Sequence, residues 1–227
     1  MATNLALISG VLTQRELRYT PKGTPFLEVV LVGKRPAGSL QVFFRGELTF
    51  YGKLAEGWAE GLEVGQAYQA SGRLEYEQWE KDGVKGSRIR IVGDELFALE
   101  GAEVRQEEKG PVLYGAENRV LLSGNLTQAP ELRQGKNQTP LAKASLAFTT
   151  WEPTTAQART HYIELEAWRE RAAPFSGLGK GAPVLVEGAL KTEVWEDKEL
   201  RTRRYKRVLE VQRLQRLGRI RWNSKAA

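Results

Sequence analysis

Hydrophobic and polar residues alternate at the two-residue period of a β-strand through most of the chain, and one such stretch occurs twice. In residues 65–79, GQAYQASGRLEYEQW, the side chains of Tyr68, Ala70, Leu74 and Tyr76 share one face, and Ser71, Arg73, Glu75, Glu77 and Trp79 share the other. The pattern returns in residues 181–195, GAPVLVEGALKTEVW. There Val184, Val186, Leu190 and Val194 form the predicted core face, with Lys191, Glu193 and Trp195 opposite. A mid-strand glycine in each copy, Gly72 and Gly188, predicts a bulge or sharp bend, as a strand curling round a small barrel requires.

The rest of the chain falls into register around this pair. Residues 4–12 and 118–126 are apolar strands with a glycine inside, Gly10 and Gly124. Thr13-Gln14 matches Thr127-Gln128, Glu16-Leu17-Arg18 matches Glu131-Leu132-Arg133, and Thr24-Pro25 matches Thr139-Pro140. Second strands follow at 26–33 and 141–149, and third strands at 44–51 and 161–168. Short helical pieces come next, at 54–62 and 170–175, weakened by Gly57, Gly61 and Pro174. After the long fourth strand, charged hairpins at 80–86 and 196–200 lead into final strands at 88–97 and 204–214. Strand, strand, strand, short helix, strand, strand is the order of a five-stranded Greek-key barrel, the OB-fold. The predicted fold is therefore all-β: two tandem OB-fold barrels, each with a short helix between strands three and four. Residues 1–100 form the first domain, 101–116 a charged linker without periodicity, 117–216 the second domain and 217–227 a basic tail.

Composition narrows the function. With no cysteine among 227 residues there is no disulfide framework and no thiolate metal site, which fits a reducing compartment. The amino terminus carries no basic leader, and no run reaches the ~20 apolar residues of a membrane span. A cytoplasmic protein with no membrane contact is expected. The net charge of +6 is unevenly spread: residues 1–100 hold 12 basic and 13 acidic groups, residues 101–116 hold 2 and 3, and residues 117–227 hold 20 and 12. A basic half joined to a neutral one points to a polyanionic partner. Chemistry is poorly supported. His161 is the only histidine, Asp occurs only at 82, 94 and 197, and no phosphate-cradling or nucleophile-elbow motif is present. No catalytic residue, metal or cofactor is expected.

A binding barrel offers exposed aromatic faces for bases and cations for phosphates. Trp79 and Trp195 recur at matched positions on charged faces. Tyr51, Trp168, Tyr162 and Trp151 also sit on the polar side of their strands. Candidate groove and phosphate contacts are Arg18, Lys34, Arg45, Arg73, Lys143, Lys191, Arg203 and Arg204. Trp58, beside Leu54 and Leu62, reads as core, and Trp222 lies in the basic tail. The same exposed rings would suit a protein-protein assembly surface or an RNA-binding barrel, and the residues alone leave these readings open.

Combined at their spacings, NLALISGVLTQ with ELRYTPKGTP, FYGKLAE, VGQAYQASGRLEYEQW, NRVLLSGNLTQAPELR, HYIELEAWRERAA and KGAPVLVEGALKTEVW resemble bacterial single-stranded DNA-binding proteins of the two-OB-domain form. The resemblance spans roughly residues 4–97 and 118–214. It implies sequence-tolerant binding and protection of single-stranded DNA in replication, recombination and repair, by a homodimer that brings four OB domains together. It also implies that Trp79 and Trp195 match the family's stacker at the end of strand four, Tyr51 and Trp168 the one closing strand three, and Arg45 and Tyr162 the one near that strand's start. Trp151 approximates the stacker after strand two. With Arg45 in place of an aromatic, the first barrel is expected to stack less. The family usually recruits repair proteins through a tail with an acidic tip. The last residues here are RIRWNSKAA, so recruitment by that route is not expected.

Overall fold

The structure is a computed structural model that describes residues 3–81, 84–152, 157–197 and 202–218, with the side chains of 78–81, 84–86, 136, 152, 195–197 and 202–204 left out. The first barrel contains β1 (Asn4–Tyr19), β2 (Pro25–Ala37), β3 (Leu40–Tyr51), α1 (Lys53–Gly61), β4 (Ala67–Lys81) and β5 (Val84–Ala98). A hairpin of β6 (Val104–Glu107) and β7 (Gly110–Tyr114) follows. The second barrel contains β8 (Asn118–Leu126), β9 (Glu131–Gln134), β10 (Pro140–Glu152), β11 (Gln157–Trp168), a 3-10 helix (Arg169–Phe175), β12 (Pro183–Asp197) and β13 (Thr202–Arg216).

Each barrel closes in the same way. In the first the order is β2-β3-β5-β4-β1, with β1 returning to β2; in the second it is β10-β11-β13-β12-β8, with β8 returning to β10. The parallel contacts within the barrels, Leu48 opposite Ile91 and Glu164 opposite Val208, join third strand to fifth. These are the tandem OB-folds that the repeat predicts. Their interiors are filled by the alternate residues of every strand, among them Ile8, Leu31, Leu48, Phe50 and Leu74 in one barrel and Leu122, Leu146, Phe148 and Leu165 in the other.

Both predicted bulges are present, and they explain why the strand phase survives them. The β4–β5 register slips between Ser71 and Gly72, where Asp94 of β5 is the extra residue; the β12–β13 register slips between Glu187 and Gly188, where Gln212 of β13 is extra. Because the added residue lies on the partner strand, Tyr68, Ala70 and Leu74 stay on the core side. The glycines are required by close approach. A Cβ at Gly72 would stand 2.3 Å from the Val92 carbonyl oxygen, and one at Gly188 would stand 2.3 Å from that of Glu210.

Four expectations are corrected. The segment 101–116 is not a bare linker: β7 runs parallel to β2, and Val112 packs on Val30 and Val32. Those two valines face outward from the barrel, so the hairpin supplies the cover that lets residues 29–33 be buried on both faces. The short apolar run of β7 has too few alternations to announce a strand by itself. The second helical piece is a 3-10 helix, since Pro174 removes an amide donor inside it. β1 extends to Tyr19, well beyond the 4–12 stretch that the apolar pattern marks, because it pairs with β2 as far as Pro25. Val194 is 56% exposed rather than core, because the β12–β13 arm has left the barrel by that point. Trp58, by contrast, packs against the core as expected.

The barrels are joined edge to edge. β1 and β8 pair antiparallel from Asn4 opposite Leu122 to Ile8 opposite Asn118, giving one thirteen-stranded sheet. At the start of each of these strands an asparagine clamps the fourth strand of its own barrel. Asn4 exchanges two 2.9 Å hydrogen bonds with the backbone of Leu74, and Asn118 does the same with Leu190. Side chains of the second barrel reach across: Arg207 donates to Glu47 (2.7 Å) and to the Ile89 carbonyl (2.9 Å), Glu210 pairs with Arg35 at 3.1 Å, and His161 accepts from the Tyr76 amide at 2.9 Å. His161 is fully buried, stacks on Phe148, and lies 2.7 Å from Thr150 Oγ1 through Nε2. With Nδ1 accepting, the ring proton belongs on Nε2.

Gly188→Ala should lower stability by about 1–3 kcal/mol in urea unfolding, through overpacking against Glu210. For His161, burial holds its pKa below the ordinary 6.5, helped by Arg159 and Arg73 and opposed by the Tyr76 backbone and Glu75. Below that ordinary value the unfolded chain takes up a proton that the folded chain refuses. Stability should therefore fall as pH drops through about 6.5, by at most about 1.4 kcal/mol per pH unit. His161→Gln should flatten the dependence of the urea midpoint on pH over that window.

Candidate nucleic-acid interface

Edge-to-edge joining leaves a groove of about 2070 Å³ between the barrels. One wall comes from β3 and β5, the other from β11, β12 and β13. Phe43, Tyr162 and Tyr205 line it with exposures of 53%, 49% and 63%, and the Tyr76 and Tyr162 rings meet edge to face at 6.4 Å. Arg45, Arg88, Arg90, Lys191, Lys206 and Arg207 supply positive charge along the same surface. Rings open to solvent beside cations are the combination that stacks bases and neutralises phosphates.

The groove brings together four of the predicted residues, Arg18, Arg45, Tyr162 and Lys191. Arg45 is exposed and bonds Glu47 and Gln14 Oε1 (2.8 Å), while Arg18 pairs with Glu16 at 2.6 Å. Lys191 and Lys143 close on the buried carboxylate of Glu166 at 3.5 and 2.7 Å. Burial raises the pKa of Glu166, but the two ammonium groups outweigh it and hold the carboxyl below its ordinary range. Arg73 is likewise occupied, by Asp94 at 2.9 Å and Glu75 at 3.2 Å.

Other predicted residues lie outside the groove. Trp151 stands 63% exposed near the end of β10. Tyr51 and Trp168 are half-buried where β3 and β11 end. Tyr51 accepts a 2.5 Å hydrogen bond from Arg90, whose guanidinium lies 5.3 Å from the ring centre, and burial raises the phenol pKa against that charge. The Trp168 ring edge abuts Gly135, with 3.0 Å between it and the place a Cβ would occupy. Lys34 differs most from expectation: the β6–β7 hairpin folds over it, pairing its ammonium with Glu107 and with Tyr114 Oη at 3.2 Å. Its charge is spent inside the fold. The backbones of Trp79 and Trp195 lie in β4 and β12, but their side chains, those of Arg203 and Arg204, and all of Trp222 fall outside the described residues.

Phe43 and Tyr205 are groove residues that sequence reasoning missed. Phe43 shares the face of Arg45 and Glu47 at the two-residue period, but the run Val42-Phe43-Phe44 is apolar at both parities and hides the alternation. Tyr205 is enclosed in the basic run 201–207, which reads as a solvated face. Among the described residues no cluster of His, Asp and Glu is arranged to hold a metal ion, and no helix is long and apolar enough to cross a membrane.

Residues 3–99 and 117–217 each match the model of the Single-strand binding protein family. The Single-stranded DNA-binding protein of Thermus aquaticus is 36% identical over 222 residues, covering 94% of this chain and 84% of that one. The protein of the same description from Deinococcus radiodurans is 34% identical over 231 residues, covering 94% and 74%. The crystal structure of the wild-type single-stranded DNA binding protein from Thermus aquaticus aligns over 100% of this chain and 97% of its own, with 32% identity and a TM-score of 0.77.

Proposed function

The chain belongs to the single-strand binding protein family, and from that membership we propose that it binds and protects single-stranded DNA without regard to sequence, in replication, recombination and repair. It is a binding protein and not an enzyme. The observation that carries the reading is the groove between the barrels, where Phe43, Tyr162 and Tyr205 open to solvent among arginines and lysines. Each base laid on such a ring contributes about 1–3 kcal/mol, and the contact is indifferent to sequence because every base has a π-face. Trp79 and Trp195, near the ends of β4 and β12, are proposed to extend this platform along the two hairpin arms. Arg203 and Arg204 are proposed to serve phosphates beside Trp195, together with Arg18, Arg45, Arg73, Lys143 and Lys191.

We further propose that residues 1–100 and 117–216 are the two binding domains and that the protein is a cytoplasmic homodimer with four barrels. The surface that supports pairing is the outer face of the sheet β5-β4-β1-β8-β12-β13. At its centre Leu5 lies opposite Leu121, and Leu5 and Phe97 are 39% and 56% exposed. An apolar centre with a polar rim is the make-up of a subunit contact. Molecular mass in solution, with and without long oligo(dT), tests assembly and ligand together.

Tryptophan fluorescence should quench on titration with oligo(dT) at low salt; unchanged fluorescence would favour a protein-assembly role, and preference for matched oligo(U) an RNA-binding one. Trp151→Ala and Tyr162→Ala should each weaken oligo(dT) binding by roughly 1–3 kcal/mol, with melting unchanged for Trp151→Ala, whose ring is exposed, and slightly lowered for Tyr162→Ala, which loses the contact with Tyr76. Glu107→Ala should release Lys34, tightening low-salt binding and steepening the log–log salt dependence by up to about 0.7. Its cost in stability should be small, because solvent screens the Lys34–Glu107 pair.

A further inference from the structure

The two barrels provide an internal control at the residue after the third strand. In the first barrel this is Gly52, with φ +63°, and a Cβ there would meet nothing within 4 Å, so glycine is present for conformation and not for room. In the second barrel the same place, immediately after Trp168, is held by Arg169 with φ +58°. A side chain disfavours that left-handed backbone, and arginine has no local bond of the kind that eases asparagine into it. The strain gains nothing visible inside the fold. Arg169 is exposed and has no hydrogen bond or ion pair with another described residue, whereas Arg18, Arg35, Arg45, Arg73 and Arg90 are all engaged.

What lies beside it suggests the use. Arg169 and Arg133 flank an apolar hollow of about 420 Å³ formed by Leu132, Pro140, Leu141 and Ala172 between β9 and the 3-10 helix. Leu141 stands where the first barrel has Phe26, whose ring fills the corresponding place against Tyr51 at 6.2 Å. The second barrel thus combines a smaller side chain, an open apolar surface and an unengaged guanidinium next to Trp168. A cation with an apolar floor fits one nucleotide, phosphate on the arginine and base over the hollow.

We propose that Arg169 is a phosphate-binding residue peculiar to the second barrel, kept at the expense of backbone strain. The inference rests on single-strand binding as proposed above. Arg169→Gly, which restores the first barrel's residue, should raise the melting temperature by about 2–4 °C. It should also weaken oligo(dT) binding roughly tenfold at low salt and reduce the log–log salt slope by about 0.7. Arg169→Asn, which tolerates the backbone but lacks the charge, should show the same loss of binding. Wild-type binding that survives both changes with an unaltered slope would overturn the inference alone, as would a fall in melting temperature for Arg169→Gly. Wild-type protein that fails to bind oligo(dT) would overturn the reading on which it rests.

Discussion

The pairing of β1 with β8 is the constraint from which the arrangement follows. Two barrels tethered by a flexible segment would sample many orientations and would share no surface. Backbone hydrogen bonding between their first strands allows one register, since a slip of one residue would turn Leu5 and Leu121 inward and Ala6 and Val120 outward. Once that seam is set, Arg207 meets Glu47, Glu210 meets Arg35 and His161 meets the Tyr76 amide, all from the second barrel to the first. These contacts are weak evidence of added stability, because burying charge offsets much of what pairing returns. Their effect is geometric: they place β3 and β5 across from β11 and β13, so that the groove has two walls.

Charge along the chain gives an incomplete account of charge at the surface. Most of the cations facing the groove are engaged by carboxylates of their own strand or the next, as with Arg45 on Glu47, Arg90 on Glu75 and Lys206 on Glu164. A phosphate approaching them must replace an existing partner, and for exposed pairs that partner is held by only about 0–1 kcal/mol. Exchange is therefore easy in both directions. On the proposed reading such contacts exchange readily, and the rings carry the sequence-blind part of the affinity.

Much of the fold was legible in the chain, and the reasons are local. The repeat, the strand order and the bulges at Gly72 and Gly188 all follow from two-residue alternation and from glycines where only glycine clears the neighbouring carbonyl. What was not legible depends on partners distant in sequence. Lys34 reads as a free cation at the end of a strand until Glu107 and Tyr114 come down on it, and residues 104–114 read as linker because the valines they cover belong to β2. Val194 continues a core pattern that has no core beneath it. His161 and the two asparagines, Asn4 and Asn118, act through backbone atoms of other strands, which no periodicity in their own neighbourhood could disclose.

The barrels share a plan but are not equivalent, and several of the differences point the same way. In the first, Arg45 stands where the second has Tyr162, a hairpin neutralises Lys34, and Gly52 is unstrained. In the second, Trp151 and Tyr162 are open to solvent, and Arg169 stays unengaged at a strained position. A single chain carrying both copies is free of the requirement that every subunit of a symmetric assembly be identical. Each repeat can then shift its balance between holding the assembly together and holding the ligand. The first carries the covering hairpin and receives the cross-barrel contacts, so it is the better-buttressed half. The second keeps its rings and part of its charge exposed, which suits the strand binding proposed above.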